Sequence, residues 1–149
     1  SNETRQISLA DNAGSFNLCG VQCHGRKTCD IPETLFGMDT SLFTIAVNHF
    51  PELSEPLIYA GVDLILTGHT HGGQVCLPGR RPIRTHNRTG QKFAAGLERI
   101  ENSYVFTSRG MGCSLLPIRT FCPPEFARIT LYKGDHSKTR KKEEDIKRA

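Results

Sequence analysis

The sequence predicts an α+β fold in which strands predominate and helices are short, and three consecutive segments predict it. Residues 42–47, LFTIAV, form a β-rich apolar run; residues 64–67, LILT, form a second; between them SEPLIY at 54–59 has the composition of a short helix. Ser54 is placed as N-cap, Pro56 lies in the first turn, and Gly61 supplies the stop. A strand, a helix and a second strand in this order make a βαβ unit, whose two strands run parallel and end at the same edge of the sheet. A further strand is expected over 104–107, and the chain's 149 residues suffice for one domain with a real core.

The chemistry of the chain is concentrated at those strand ends. LILT runs directly into GHTHGG, so His69 and His71 stand two positions apart at the exit of a buried strand, and His49 follows the strand before it in NHFPE. In an extended segment, positions i and i+2 face the same side. Neutral imidazole is the commonest side-chain metal ligand, and flanking glycines let backbone and ions approach closely. The parallel arrangement should therefore bring His49, His69 and His71 to one sheet edge as metal ligands.

NHFPE followed by DLILTGHTHGGQVCLPG resembles the C-terminal half of a calcineurin-like metallophosphoesterase, and YVFTSRGMGCSLLPIRTFCPPEFARITL at 104–131 is similar to the closing strands of that family's bacterial phosphodiesterase branch. The resemblance covers roughly residues 15–132. It implies part of a two-sheet β-sandwich flanked by helices. It also implies metal-dependent hydrolysis of a phosphodiester or pyrophosphate, with two divalent ions (Mn, Fe or Zn) about 3.5–4 Å apart activating the attacking water. By this resemblance His49 and His69 belong to the second ion and His71 to the first. Substrates of the branch range from generic phosphodiesters to a nucleotide lipid such as UDP-2,3-diacylglucosamine.

The family's Asp-x-His, Gly-Asp and Gly-Asn-His-Glu motifs, which lie in its N-terminal half, do not occur ahead of His49, and neither does the general-acid histidine that the last of them carries. The acidic residues before His49 are Glu3, Asp11, Asp30, Glu33 and Asp39, none of which follows a strand-then-glycine pattern. The expectation is therefore a fragment: residues 1–132 as the C-terminal portion of the domain, needing the N-terminal half as its partner, and 133–149 as a charged tail. The alternative is a noncatalytic half that acts only as scaffold or metal-binding remnant. With no bridging carboxylate, the isolated chain is expected to be inactive.

Charge is unevenly placed. Residues 1–78 carry three basic against eight acidic residues, whereas 79–132 carry nine against three. The net charge of +4 is too mild to argue for nucleic acid, which is not expected as a partner. GRRPIRTHNRTGQK at 79–92 has no acidic residue and is broken by Pro82 and Gly90, so it reads as a basic loop beside the site. Arg81, Arg84 and Arg88 are candidates to bind an anionic, phosphorylated small-molecule or lipid substrate, or to touch an anionic membrane surface, the alternative being a solvated loop. Arg109, in the SRGMG turn, is a further substrate-binding candidate, against an ordinary role bonding backbone carbonyls.

Cys19, Cys23 and Cys29, with His24 among them, leave a structural zinc open, but no second Cys-x-x-Cys pair follows. Reduced thiols and a cytoplasmic protein, inner-membrane associated through a peripheral contact, are expected. GDHSKTRKKEEDIKRA at 134–149 has too few apolar residues to bury a face and reads as a solvated extension, helical at most over 141–148.

Overall fold

The computed structural model describes residues 2–10, 13–22, 29–85 and 87–132. Eight strands and two short helices follow in order: β1 (Glu3–Ser8), β2 (Ser15–Gly20), α1 (Ile31–Leu35), β3 (Thr44–Val47), α2 (Ser54–Tyr59), β4 (Leu64–Thr67), β5 (Cys76–Leu77), β6 (Arg81–Pro82), β7 (Gly96–Ile100) and β8 (Ser103–Thr107). Six of them form one mixed sheet in the order β1-β2-β3-β4-β8-β7. The four central strands are parallel, with β1 and β7 added antiparallel at the two edges.

The expected βαβ unit is present. Ile45 pairs with Leu64 and Val47 with Leu66, so β3 and β4 end side by side. Helix α2 returns the chain between them and closes on Gly61, whose N–H donates to Ile58 O at 2.9 Å while that of Val62 donates to Leu57 O at 3.1 Å. This double closure needs the left-handed φ of +82° that Gly61 adopts. Ser54 is not the N-cap. A single 3₁₀ turn, Pro51–Leu53, runs straight into α2, so Ser54 already has helical angles and its side chain is buried rather than capping the helix.

Register places Cys19, Ala46, Ile65 and Val105 in one row across four strands, and all four are fully buried. Val21 just after β2, Leu57 and Val62 from the α2 region and Phe93 complete the cluster, with Ile31 and Leu35 of α1 packed against it. Burial of such side chains contributes roughly 1.5–3 kcal/mol each for the larger ones, which makes this face the anchor of the sheet. The opposite face carries Leu18, Val47, Tyr104 and Leu97, all exposed. One side of the sheet is thus a core, and the other carries these exposed apolar side chains around the buried Ile45 and Leu64.

Three local expectations differ from the structure. The segment 79–92 is not loop throughout, because Leu77 pairs with Arg81 and Cys76 with Pro82 around a turn in which Gly79 and Arg80 both have positive φ. The residues after β8 form no further strand among those described; Pro117, Pro123 and Pro124 withdraw amide donors there, leaving a single bridge from Val75 to Thr120. Cys29 is disulfide-bonded, whereas Cys19, Cys76, Cys113 and Cys122 are free thiols. That one disulfide departs from the reduced thiols expected from the sequence. The zinc reading at Cys23 and His24 and the tail 133–149 lie outside the described residues. No helix among the described residues is long and apolar enough to cross a membrane.

Candidate metal centre

All three histidines follow the carboxyl ends of β3 and β4, at one edge of the sheet. His49 Nε2 and His69 Nδ1 face each other at 3.2 Å, with ring centroids 5.1 Å apart and near-perpendicular planes. Phe50 packs on both, 4.9 Å from His49 and 4.7 Å from His69. Thr67, buried at the end of β4, ties the two strand exits by donating from Oγ1 to His49 O at 3.2 Å and Asn48 Oδ1 at 3.3 Å. Gly68 N–H also donates to His49 O, at 3.3 Å.

His71 lies apart from this pair. Its Nδ1 is 3.2 Å from Gly112 O, and no group of three or more His, Cys, Asp or Glu side chains gathers in metal-binding geometry among the described residues. The turn between the histidines is strained. His69 and His71 have φ of 67° and 50°, and Gly72, Gly73 and Gln74 are also left-handed. Each such non-glycine residue costs of order 1–3 kcal/mol and persists only where its surroundings hold it.

Several contacts provide that hold. Thr70, buried between the histidines, donates from Oγ1 to Ala94 O at 2.6 Å and accepts from Gly72 N–H at 3.1 Å. Gln74 accepts from Ser114 N–H at 2.7 Å and donates to Leu116 O at 2.7 Å. A Cβ on Gly72 would lie 2.7 Å from Arg109 Cγ and 2.9 Å from Cys122 Sγ, so the chain packs against the turn too closely for any side chain there.

Arg109 sits beside the turn with its guanidinium engaged: Nη1 donates to Glu125 Oε2 at 2.6 Å, and the Arg109 backbone N–H donates to Glu125 Oε1 at 3.0 Å. Burial pushes the Glu125 carboxyl up, but these bonds and the charges of Arg109 and Arg80 outweigh it and hold the pKa below the ordinary glutamate value. Arg81, Arg84 and Arg88 are exposed. Arg84 lines a cavity of about 480 Å³ with Pro82, Thr85, Asn87 and Gln91. The Arg88 backbone N–H is fixed by Glu52 Oε1 at 2.9 Å, and Lys92 pairs with Glu55 at 2.6 Å, which fastens the basic segment to the helix-bearing side of the site.

Arg119 is the residue that sequence reasoning missed. Its guanidinium donates to Arg109 O (2.8 Å), Gly110 O (3.2 Å), His71 O (3.3 Å), Cys122 O (3.2 Å) and Gly112 O, joining the histidine turn to the two segments that follow β8. The available signal was a lone arginine in an irregular stretch whose carbonyls have no strand partners.

Two imidazoles bound to one tetrahedral ion at 2.0–2.1 Å have their ligating nitrogens about 3.3 Å apart. The 3.2 Å between His49 Nε2 and His69 Nδ1 fits that requirement, so the pair as it stands suits one divalent ion.

A Bacillus subtilis protein, "uncharacterized metallophosphoesterase YkuE", is 34% identical over 130 residues, covering 87% of this chain and 45% of its own length. An Aquifex aeolicus metallophosphoesterase is 31% identical over 80% of the chain and 44% of its own length. The chain belongs to the metallophosphoesterase family. Phosphodiesterase YaeI of Escherichia coli is 32% identical over 78% of the chain and 41% of its own length. The chain therefore spans a little under half the length of these curated relatives. No family model matches it, and no solved structure does.

Proposed function

We propose that the chain is part of a metal-dependent phosphoesterase that hydrolyses a phosphodiester or pyrophosphate bond, and that it supplies histidine ligands to a dinuclear site. The observation that carries the reading is the His49–His69 pair, 3.2 Å apart at the exits of two adjacent parallel strands. His49 and His69 would hold one divalent ion, Mn, Fe or Zn, and His71 the other, imidazole being a ligand to all three metals. Such ions polarise phosphoryl oxygens and activate the attacking water.

The chain's own residues do the rest. Phe50 limits water on one flank of the pair, Thr67 and Gly68 fix the distance between the strand exits, and His71 is oriented by Gly112 O. Because no carboxylate joins the histidines among the described residues, the remaining ligands and the general acid come in this reading from the N-terminal half of the same domain. The exposed apolar side chains Leu18, Val47, Tyr104 and Leu97 are where that half would pack. The 149 residues alone are then inactive, and the chain would act in isolation only as a scaffold or metal-binding remnant.

Arg81, Arg84 and Arg88 hold the anionic remainder of the substrate in this reading, with the Arg84 cavity as its receptacle and an anionic membrane surface as the source of a lipid substrate. A nucleotide lipid such as UDP-2,3-diacylglucosamine has the required charge. Arg109, held by Glu125, presents its remaining donors toward the transferring phosphoryl group. The test is hydrolysis of bis(p-nitrophenyl) phosphate with added Mn²⁺ by the enzyme that contains this chain. His71→Ala should remove most turnover while leaving the circular dichroism spectrum intact, and unchanged turnover in a folded variant would refute the assignment.

A further inference from the structure

His71 must present a lone pair if it is to bind a metal, and a neutral imidazole has one protonated and one free nitrogen. Its Nδ1 has two polar neighbours, Gly112 O at 3.2 Å and Arg119 Nη2 at 3.5 Å. A carbonyl only accepts and a guanidinium only donates, so these neighbours ask for opposite tautomers. The hydrogens of Arg119 decide between them. Nη2 carries two, and its closest contacts are Gly112 O and Arg109 O (2.8 Å), which leaves none for the imidazole. Nδ1 is therefore the donor, to Gly112 O, and Nε2 keeps the lone pair.

Gly112 O would not stay in place unaided. It belongs to an irregular segment that has Gly110 at a φ of +65° two residues earlier, and a glycine's carbonyl turns readily toward water. Arg119 reaches it from both Nε (3.2 Å) and Nη2 while also gripping His71 O (3.3 Å), so one guanidinium holds the acceptor of the ring and the backbone of the residue that bears it.

We propose that Arg119 is a positioning residue for His71: by clamping Gly112 O against the histidine turn it keeps the proton on Nδ1 and leaves Nε2 as the ligand atom. Partners of this kind, which orient a ligand through its non-ligating nitrogen, typically change metal affinity 10–100-fold when removed. The inference rests on the proposed role of His71 as a ligand, but the tautomer itself can be observed without metal.

The experiment is long-range ¹H–¹⁵N spectroscopy of the ¹⁵N-labelled 149-residue chain at pH 8, with His71→Gln used to assign the ring. In the wild type His71 should appear as the Nδ1–H tautomer. Arg119→Ala should move it toward the Nε2–H form, which dominates in a free histidine side chain, with His49 and His69 unchanged. Arg119→Lys keeps the charge but cannot span the carbonyls, and should behave like the alanine variant. In a zinc titration of the enzyme that contains this chain, the His71 signals of both variants should respond at about 10–100-fold higher Zn²⁺ than those of the wild type. A wild-type Nε2–H tautomer, or an unchanged tautomer in a folded Arg119 variant, would overturn the proposal; so would unfolding of both variants, which would make Arg119 a residue of the fold. A wild-type His71 that shows the expected tautomer and the expected Arg119 dependence, yet never responds to Zn²⁺ in the enzyme that contains this chain, would sink the ligand role of His71 and leave the clamp established.

Discussion

Replacing Gly73 by alanine should destabilise the protein by about 2 kcal/mol more than the same replacement at Gly61, and the two positions form a controlled pair. Their φ values are +84° and +82°, so both variants force an L side chain into the left-handed region at a cost of roughly 1–2 kcal/mol. Both also lose the same unfolded-state freedom, which stabilises by about 0.4–1 kcal/mol and cancels in the comparison. The surroundings differ. A Cβ at Gly61 meets nothing within 4 Å, whereas one at Gly73 would lie 2.3 Å from Pro82 Cβ, 3.0 Å from Pro82 Cα and 3.1 Å from Arg84 O. Two of those atoms are rigid backbone and the third belongs to a proline ring that cannot rotate away, so relief requires shifting the β5–β6 hairpin. Overpacking of this kind costs typically 1–3 kcal/mol. Urea denaturation of the two variants should show it as a midpoint about 1 M lower for Gly73→Ala, taking a slope of about 1.5–2 kcal/mol per molar. Variants of equal stability, within about 0.5 kcal/mol, would show that the hairpin is not seated on the histidine turn and would undo the placement of the basic segment beside the site.

Zinc titration of the chain followed by the ring signals of His49 and His69 should show both responding together, and His69→Ala should abolish the response at His49; independent responses would refute a shared ion. Glu125→Gln should cost about 1.5–3 kcal/mol at pH 7, where the charge-assisted bonds from Arg109 are intact. Because the folded carboxyl titrates below its ordinary value, that contribution is present above the ordinary glutamate range of about 4.3 and is lost as pH falls through the folded pKa. The deficit of the variant should therefore shrink in acid, and a pH-independent deficit in denaturation curves would count against the ion pair. In the enzyme containing this chain, joint neutralisation of Arg81, Arg84 and Arg88 should raise KM for a large anionic substrate and spare a small aryl phosphodiester, whereas loss of Arg109 should lower turnover of both; equal kinetics on the two substrates would reduce the loop to a solvated surface.

What was legible in the sequence was local. The apolar runs 42–47 and 64–67 and the helix between them follow from periodicity and from Gly61, and together they place His49 and His69 at one edge. What was not legible depends on contacts that leave no periodic trace. Ser54 looked like a cap because nothing in PELSEP distinguishes a 3₁₀ turn that continues into the helix from a chain that begins there. The β5–β6 pairing involves two residues per strand, below any pattern threshold, and rests on the left-handed Gly79 and Arg80. Arg119 meets the carbonyl of His71 across 48 positions of sequence, and a guanidinium bound to carbonyls selects no residue type in its partners. Even β1 was invisible, since ETRQIS pairs only at an edge and exposes most of its side chains.

The division of labour at the site follows from the same contrast. The sheet positions strand ends through apolar burial, but it ends at Thr67 and Thr107, before the chemistry begins. Beyond that edge His69 and His71 are left-handed, a conformation that two ordinary residues would abandon if only packing held them. They are held by hydrogen bonds to main-chain groups instead: Thr70 to Ala94 O, Gln74 to the 114–116 backbone, Arg119 to five carbonyls. Each net contribution is of order 1 kcal/mol, more where a charge donates, so no single bond can offset the strain of two left-handed histidines, but the set can. Such a turn is stiff while its anchors persist and loses its geometry in steps as they are removed. Single substitutions at Thr70, Gln74 or Arg119 should consequently loosen the histidines before they unfold the sheet, which separates the stability of the site from the stability of the fold.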